Sequence, residues 1–164
     1  MALPTNPSIA IIGSGLSGLS LALHLSKRNI PSTIYEFRPA TYSHGREIAL
    51  SPNACRTLDH IGIYEPLSKK GFNSETMTLL NQGRKVLGVL EQGSMFGYPA
   101  LKLRRTFVRE ALLAACEKKG IKIEYEKQVI GLEEQEGKVE VFFQDGTMVE
   151  ADLVIGADGL RSNV

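Results

Sequence analysis

Ile9-Ala10-Ile11-Ile12-Gly13-Ser14-Gly15-Leu16-Ser17-Gly18 is the stretch on which the fold turns. Four consecutive apolar residues, preceded by Ser8, run into a glycine, as in a strand buried on both faces. Beyond the glycines the period changes. Leu16, Leu19 and Leu23 recur at helical spacing, with Ala22 and Leu25 beside them, so a helix follows the strand directly. That helix is expected to end near Asn29, because Pro31 disfavours helical geometry at Ile30. Ser32 to Phe37 then reads as a second strand, with Glu36 near its end.

This order of elements is what a dinucleotide-binding turn requires. Gly13 allows the tight turn off the strand, Gly15 lets the backbone approach a pyrophosphate, and Gly18 lets the helix pack closely on the sheet. Ser14, Leu16 and Ser17 fill the same turn, and the amides at the helix start face an anion with the helix dipole behind them. Glu36, at the end of the second strand, can accept hydrogen bonds from an adenosine ribose. A bare G-x-G-x-x-G is common by chance. Its weight here comes from strand, turn, helix, strand and acidic residue arriving in register. The motif by itself leaves FAD and NAD(P) equally open.

Composition narrows the classes. The chain has 164 residues, 43% of them apolar and 23% charged, with a net charge of +1. That is ordinary for one globular domain and gives no electrostatic reason to invoke nucleic acid or an anionic membrane. No apolar run approaches the length of a membrane span. Ile9 to Leu25 is interrupted by glycines and serines and follows no basic residue, so strand and helix explain it better than a leader peptide. The two cysteines, Cys55 and Cys116, fall in separate helical patterns and read as small buried apolar residues. They form no disulfide framework or metal-ligand spacing, so a reducing, cytoplasmic compartment and no metal are the expectation.

Arg38 to Ser51 reads as a polar loop containing His44, Gly45 and Arg46. Ser51-Pro52 makes a helix start, serine as N-cap and proline at the first position, and Gly62 a stop. Met77 to Asn81 and Lys85 to Leu90 suggest a hairpin around Gln82-Gly83-Arg84, and Tyr98 to Arg104 an extended stretch. Thr106 to Lys119 carries the apolar stripe of a second long helix, stopped by Gly120. Ile121 to Tyr125, Val129 to Glu133 and Val139 to Phe143 are expected strands, and Asp145-Gly146 a hairpin turn into Met148 to Ala151. Leu153-Val154-Ile155 runs into a second glycine motif, Gly156-Ala157-Asp158-Gly159, close to the last residue, Val164. Glu133, Glu134 and Glu136 read as a solvated surface, and His24 and His60 as structural. No G-x-S-x-G elbow, Walker sequence or zinc spacing occurs, so catalytic residues are not identifiable.

Four segments together resemble the FAD-dependent aromatic hydroxylases, the group A flavoprotein monooxygenases. They are Gly13-Ser14-Gly15-Leu16-Ser17-Gly18 with Glu36, Gly45 to Asn53 with Leu58 and Ile61-Gly62, Arg105 to Leu112, and Gly156 to Ser162. The resemblance implies an α/β, Rossmann-like FAD-binding fold of the GR2 type. Such a fold has a mainly parallel sheet, helices on its faces and an inserted hairpin and meander. It implies FAD as cofactor, NAD(P)H as electron donor and a small aromatic or polyketide-like substrate. Arg46 and Arg105 match arginines that approach the ribityl-phosphate part of the flavin, with Arg104 one residue out of register as a competitor. Asp158 anchors the "GADG" element, which lies beside the flavin and the path of the nicotinamide.

The family's later Gly-Asp motif, its substrate-covering sheet and its C-terminal helices have no counterpart here. The expectation is therefore a single FAD-binding domain over residues 1–164, the N-terminal portion of a longer or split enzyme and inactive alone. A second chain is one source for the rest. Other FAD oxidoreductases, a non-catalytic FAD-binding partner and an NAD(P)-dependent dehydrogenase domain are the alternatives.

Overall fold

The computed structural model describes residues 7–162 and 164. In chain order the elements are β1 (Ile9–Ile12), α1 (Leu16–Ser26), β2 (Ser32–Glu36), β3 (Glu47–Leu50), α2 (Pro52–His60), α3 (Tyr64–Ser68), β4 (Phe72–Ser74), β5 (Thr76–Leu80) and β6 (Val86–Glu91). A 3-10 turn (Ser94–Phe96) leads to β7 (Ala100–Arg104), α4 (Arg105–Lys118), β8 (Lys122–Tyr125), β9 (Val129–Gln135), β10 (Lys138–Phe143), β11 (Met148–Ala151) and β12 (Leu153–Gly156). A second 3-10 turn spans Gly159–Arg161. The chain divides into two compact units, residues 1–43 with 112–164, and residues 44–111, the division falling inside α4.

The first unit holds a four-stranded sheet in the order β12-β1-β2-β8, every neighbouring pair parallel. This is the Rossmann-like arrangement the glycine turn implies, with β1 at the centre. One face of β1 and β2 presents Ile9, Ile11 and Ile34, all buried. On that face α1 lies so close that a Cβ on Gly18 would stand 3.3 Å from Ile11 Cγ2. Further on, the Cys116 thiol of α4 donates to Leu19 O of α1 at 3.8 Å. The opposite face presents Ala10, Ile12 and Tyr35 to the antiparallel meander β9-β10-β11. Val129, Val141, Phe143 and Ala151 of the meander complete one core cluster with them. The meander therefore replaces the helix that normally covers this face between the third and fourth parallel strands.

Local chemistry sets the element ends. α1 stops at Ser26, three residues before the expected end, and Asn29 adopts φ 57° while Ile30 N–H returns to Leu25 O. That left-handed residue with its six-to-one bond is a helix-terminating motif. Ser51 caps α2 as expected, its hydroxyl accepting the Ala54 N–H, with Pro52 at the first position. His24 Nδ1 lies 2.7 Å from Ser20 O of its own helix, in keeping with a structural role. Cys55 and Cys116 are both fully buried and free, and burial pushes the Cys116 thiol up to about 11.

The second unit contains the three-stranded antiparallel sheet β3-β7-β4 and the separate hairpin β5-β6. Here the sequence reading needs correction. Arg38 to Ser51 is not all loop, because Glu47–Leu50 forms β3 by pairing with Arg104–Leu101 of β7. α3 and β4 were not anticipated either. Both are short, and β4 exists by its antiparallel pairing with β7.

Candidate functional site

The glycine turn is held by backbone bonds that leave its helix end open. Gly13 N–H donates to Tyr35 O at 2.8 Å, and Ala157 N–H to Ile12 O at 2.7 Å, so the ends of β2 and β12 converge on the end of β1. The three glycines then divide by cause. Gly13 has φ 108°, and a Cβ there would lie 2.5 Å from Ala157 O. On Gly18 a Cβ would lie 2.0 Å from Gly13 O. Both are therefore required by the protein's own backbone. Gly15 differs: its φ is −71°, and a Cβ would meet only Ala157 O at 3.8 Å, an ordinary contact. Nothing in the chain demands glycine there, whereas a ligand approaching the turn would. Gly15 is also the N-cap of α1, which has no side-chain cap, so the first amides of the helix are left for an outside acceptor.

Beside the turn, Glu36 is 7% exposed and Ser14 1% exposed. Glu36 Oε2 accepts both the N–H and the hydroxyl of Ser14 at 2.7 Å, and Oε1 accepts the Arg38 N–H at 3.0 Å. A cleft of about 690 Å³ opens at the carboxyl ends of the parallel strands, lined by Gly13, Phe37, Arg38, Gln128, Val129 and Asp158 among others. Open α/β sheets bind ligands in this crevice. Asp158 follows β12 and accepts the Ser162 hydroxyl at 2.7 Å.

Gly13, Ser14, Gly15, Leu16, Ser17, Gly18, Glu36 and Asp158 thus come together in the first unit. Arg46 and Arg105 come together in the second, where Arg105 N–H donates to Arg46 O at 3.0 Å. A Cβ on Gly45 would sit 3.0 Å from Arg105 Cβ, so the glycine admits the arginine. Arg105 opens α4, and Arg104 ends β7 opposite Glu47.

Sequence reading missed most of the cleft wall, Phe37, Arg38, Lys127, Gln128 and Val129 among it. Arg38 is the second residue after β2, and its guanidinium lies 3.8 Å from the Tyr42 ring centroid. Its place after Glu36 was a usable signal. Lys127, Gln128 and Val129 carry no motif. They reach the cleft because Lys127 N–H bonds Glu36 O and Gln144 N–H bonds Gln128 O. Lys127 is tied by its ammonium to Asp145 at 2.6 Å and Thr147 at 2.8 Å; the ammonium, with the Thr147 hydroxyl and N–H that donate to Asp145 Oδ1, holds the Asp145 carboxyl down at about 2. Among the described residues, no group of three His, Cys, Asp or Glu side chains could hold a metal ion, and no helix is long and apolar enough to cross a membrane.

A parallel sheet with an open glycine turn, a buried carboxylate at the end of its second strand and a crevice at its strand ends defines a dinucleotide-binding α/β domain. More narrowly, the chain belongs to the FAD binding domain family, which matches residues 6–164, and FAD is the cofactor. This sets aside the NAD(P)-dependent dehydrogenase alternative. An FAD-dependent monooxygenase of Aspergillus terreus, pytG, is 32% identical over 162 residues, covering 96% of this chain and 48% of that protein. The 3-hydroxybenzoate 6-hydroxylase 1 of Aquipseudomonas alcaligenes is 30% identical over 163 residues, covering 96% and 41%. In fold, the tetrameric form of 2-methyl-3-hydroxypyridine-5-carboxylic acid oxygenase matches with a TM-score of 0.82 at 22% identity, covering 98% of this chain and 42% of that one. The chain spans under half the length of these relatives.

Proposed function

We propose that this chain is the FAD-binding part of a flavin-dependent monooxygenase that uses NAD(P)H and O2 to hydroxylate an aromatic or polyketide-like small molecule. The observation that carries the reading is Gly15: a glycine with room for a side chain, at an uncapped helix start, beside a carboxylate on the next strand. The names of the relatives, a monooxygenase and a hydroxylase, supply the reaction class.

In this reading the amides of Gly15, Leu16 and Ser17 donate to the pyrophosphate, Glu36 accepts a ribose hydroxyl, and Phe37 and Val129 offer apolar surface to the adenosine. Asp158 orders the segment that follows β12 by accepting the Ser162 hydroxyl. A phosphate-pairing role for Arg46 and Arg105 rests on the family resemblance, as does NAD(P)H. When bound, FAD supplies the electron-transfer and oxygen chemistry, and the chain binds and orients it. The remaining segments of such an enzyme, on the same chain or a partner, would choose the substrate. Buried free thiols suit a reducing, cytoplasmic compartment.

Purified protein incubated with FAD and desalted should keep a flavin absorbance band and melt at a higher temperature than the cofactor-free form. Failure to retain any flavin after reconstitution would sink the reading. NADPH or NADH oxidation coupled to a hydroxylated product, followed by mass spectrometry across phenolic substrates in the full-length enzyme, tests the reaction class.

A further inference from the structure

Both donors of Ser14, its N–H and its hydroxyl, go to one oxygen of a buried carboxylate, Glu36 Oε2. An ionised carboxylate offers about two lone-pair positions on each oxygen. Oε2 is therefore filled from within the protein. Oε1 accepts the Arg38 N–H, and among the described residues no second donor reaches it, so one position remains. The turn's amides divide in the same way. Gly13 N–H is held by Tyr35 O, and Ser14 N–H by Glu36, which leaves the donors from Gly15 onward for an anion.

Resting on the FAD reading above, we propose that Ser14 is a positioning residue for the ribose rather than a phosphate ligand. It pins Oε2, so that Glu36 takes one adenosine ribose hydroxyl through Oε1 and does not chelate the pair. The motif's second residue thereby joins the phosphate turn to the ribose site: a shift of the turn moves the carboxylate with it. A serine that served only to satisfy a buried charge would leave the choice between ribose hydroxyls untouched.

The test uses FAD and two analogues lacking either the 2′- or the 3′-hydroxyl of the adenosine ribose, titrated into cofactor-free protein by flavin fluorescence. For the unaltered protein one analogue should bind about tenfold or more weakly than FAD, and the other within about threefold of it. Ser14→Ala removes the hydroxyl and opens one acceptor position on Oε2 beside the retained backbone N–H, so both carboxylate oxygens can take a ribose hydroxyl and the contrast between analogues should shrink to about threefold or less. Ser14→Thr, which keeps a hydroxyl, should preserve it. Equal penalties for the two analogues in the unaltered protein would overturn the proposal, and so would an unchanged contrast in Ser14→Ala.

Amide hydrogen exchange in the cofactor-free protein tests the bond without flavin. Ser14 N–H should exchange slowly and Gly15 N–H fast, and Glu36→Ala, or Glu36→Gln if the alanine variant does not fold, should speed Ser14 and Arg38, the two amides bonded to the carboxylate, while the slow amide of Gly13 is unchanged. Fast exchange at Ser14 in the unaltered protein overturns the proposal at its root. Slow exchange without FAD binding instead brings down the cofactor reading, and the ribose contact with it.

Discussion

The meander β9-β10-β11 and the hairpin β5-β6 are built by the same local rules and meet different surroundings. Both are antiparallel, both turn on short polar loops, and both hold a bulge, at Phe142/Phe143 and at Leu79/Leu80. In the meander apolar and polar residues alternate. Val141 and Phe143 point to the parallel sheet and are at most 1% exposed, while Glu133, Glu140 and Glu150 share the outer face. The hairpin has no such alternation at its centre: Leu87, Val89 and Leu90 on β6 and Met77, Leu79 and Leu80 on β5 are all at least 38% exposed. It stands as a sheet of two strands. These two ribbons are thus written locally, but what each contributes to stability depends on the layer that covers it.

The glycine turn offers the largest test of that distinction, since there the covering layer is backbone. Gly18→Ala puts a Cβ 2.0 Å from Gly13 O, where no flexible side chain can give way. The expected cost is about 4 kcal/mol or more, seen as loss of the cooperative thermal transition by circular dichroism. Gly15→Ala, with its nearest contact at 3.8 Å, should melt close to the unaltered protein yet lose about tenfold or more in FAD affinity. If both variants melt alike, the division between protein-required and ligand-required glycines is wrong.

The two ribbons can be compared directly by truncation. Phe143→Ala should cost about 3–5 kcal/mol in urea unfolding, because it removes a ring that is 1% exposed and packed 5.1 Å from Tyr35. Val89→Ala, on the exposed hairpin, should change stability by about 0.5 kcal/mol or less. Similar costs at the two sites would mean that the hairpin is covered in solution.

Burial also sets a pH dependence in the sheet's helix layer. The Cys116 thiol, raised by desolvation from 9.0 to about 11, keeps its proton in the folded state while the unfolded chain releases it. Its contribution is fully present below pH 9, declines as pH rises from there, and is lost by about 11. Urea midpoints on either side of pH 9 should fall with rising pH, and less steeply in Cys116→Ala. Tyr35, raised by burial as well, adds a residual slope of the same sign.

What the sequence disclosed follows the range of the forces involved. The turn between β1 and α1, the Ser51-Pro52 helix start, α4 and the Asp145-Gly146 hairpin each rest on neighbouring residues, and each stood out. β3 did not, since Glu47-Ile48-Ala49-Leu50 becomes a strand by pairing with a segment beyond the hairpin. The site divides likewise. Gly13 to Gly18, Glu36 and Asp158 are readable as motifs, but only the folded chain brings Ser14 onto one oxygen of Glu36, or Lys127 to Val129 into the cleft from another layer. A motif fixes which residues are near the ligand. It does not say which of their donors are already taken.

The outer face of the meander offers the smallest effect and the finest comparison with the hairpin. Glu140 stands directly opposite Glu133 on β9 and Glu150 on β11, so three like charges cross the ribbon in line. Lys138, bonded to Glu150, relieves one end, and the Gln135 amide reaches Glu140 at 3.5 Å. Directly opposed like charges destabilise an antiparallel pair, and opposite charges contribute about 0.2–1 kcal/mol. Glu140→Lys should therefore stabilise the protein by about 0.5 kcal/mol at low salt, and by less as ionic strength rises and screens the row. A salt-independent gain would trace the effect to packing. A loss would mean that the Gln135 bond outweighs the repulsion, since that bond and the like-charge row are the two interactions the substitution removes.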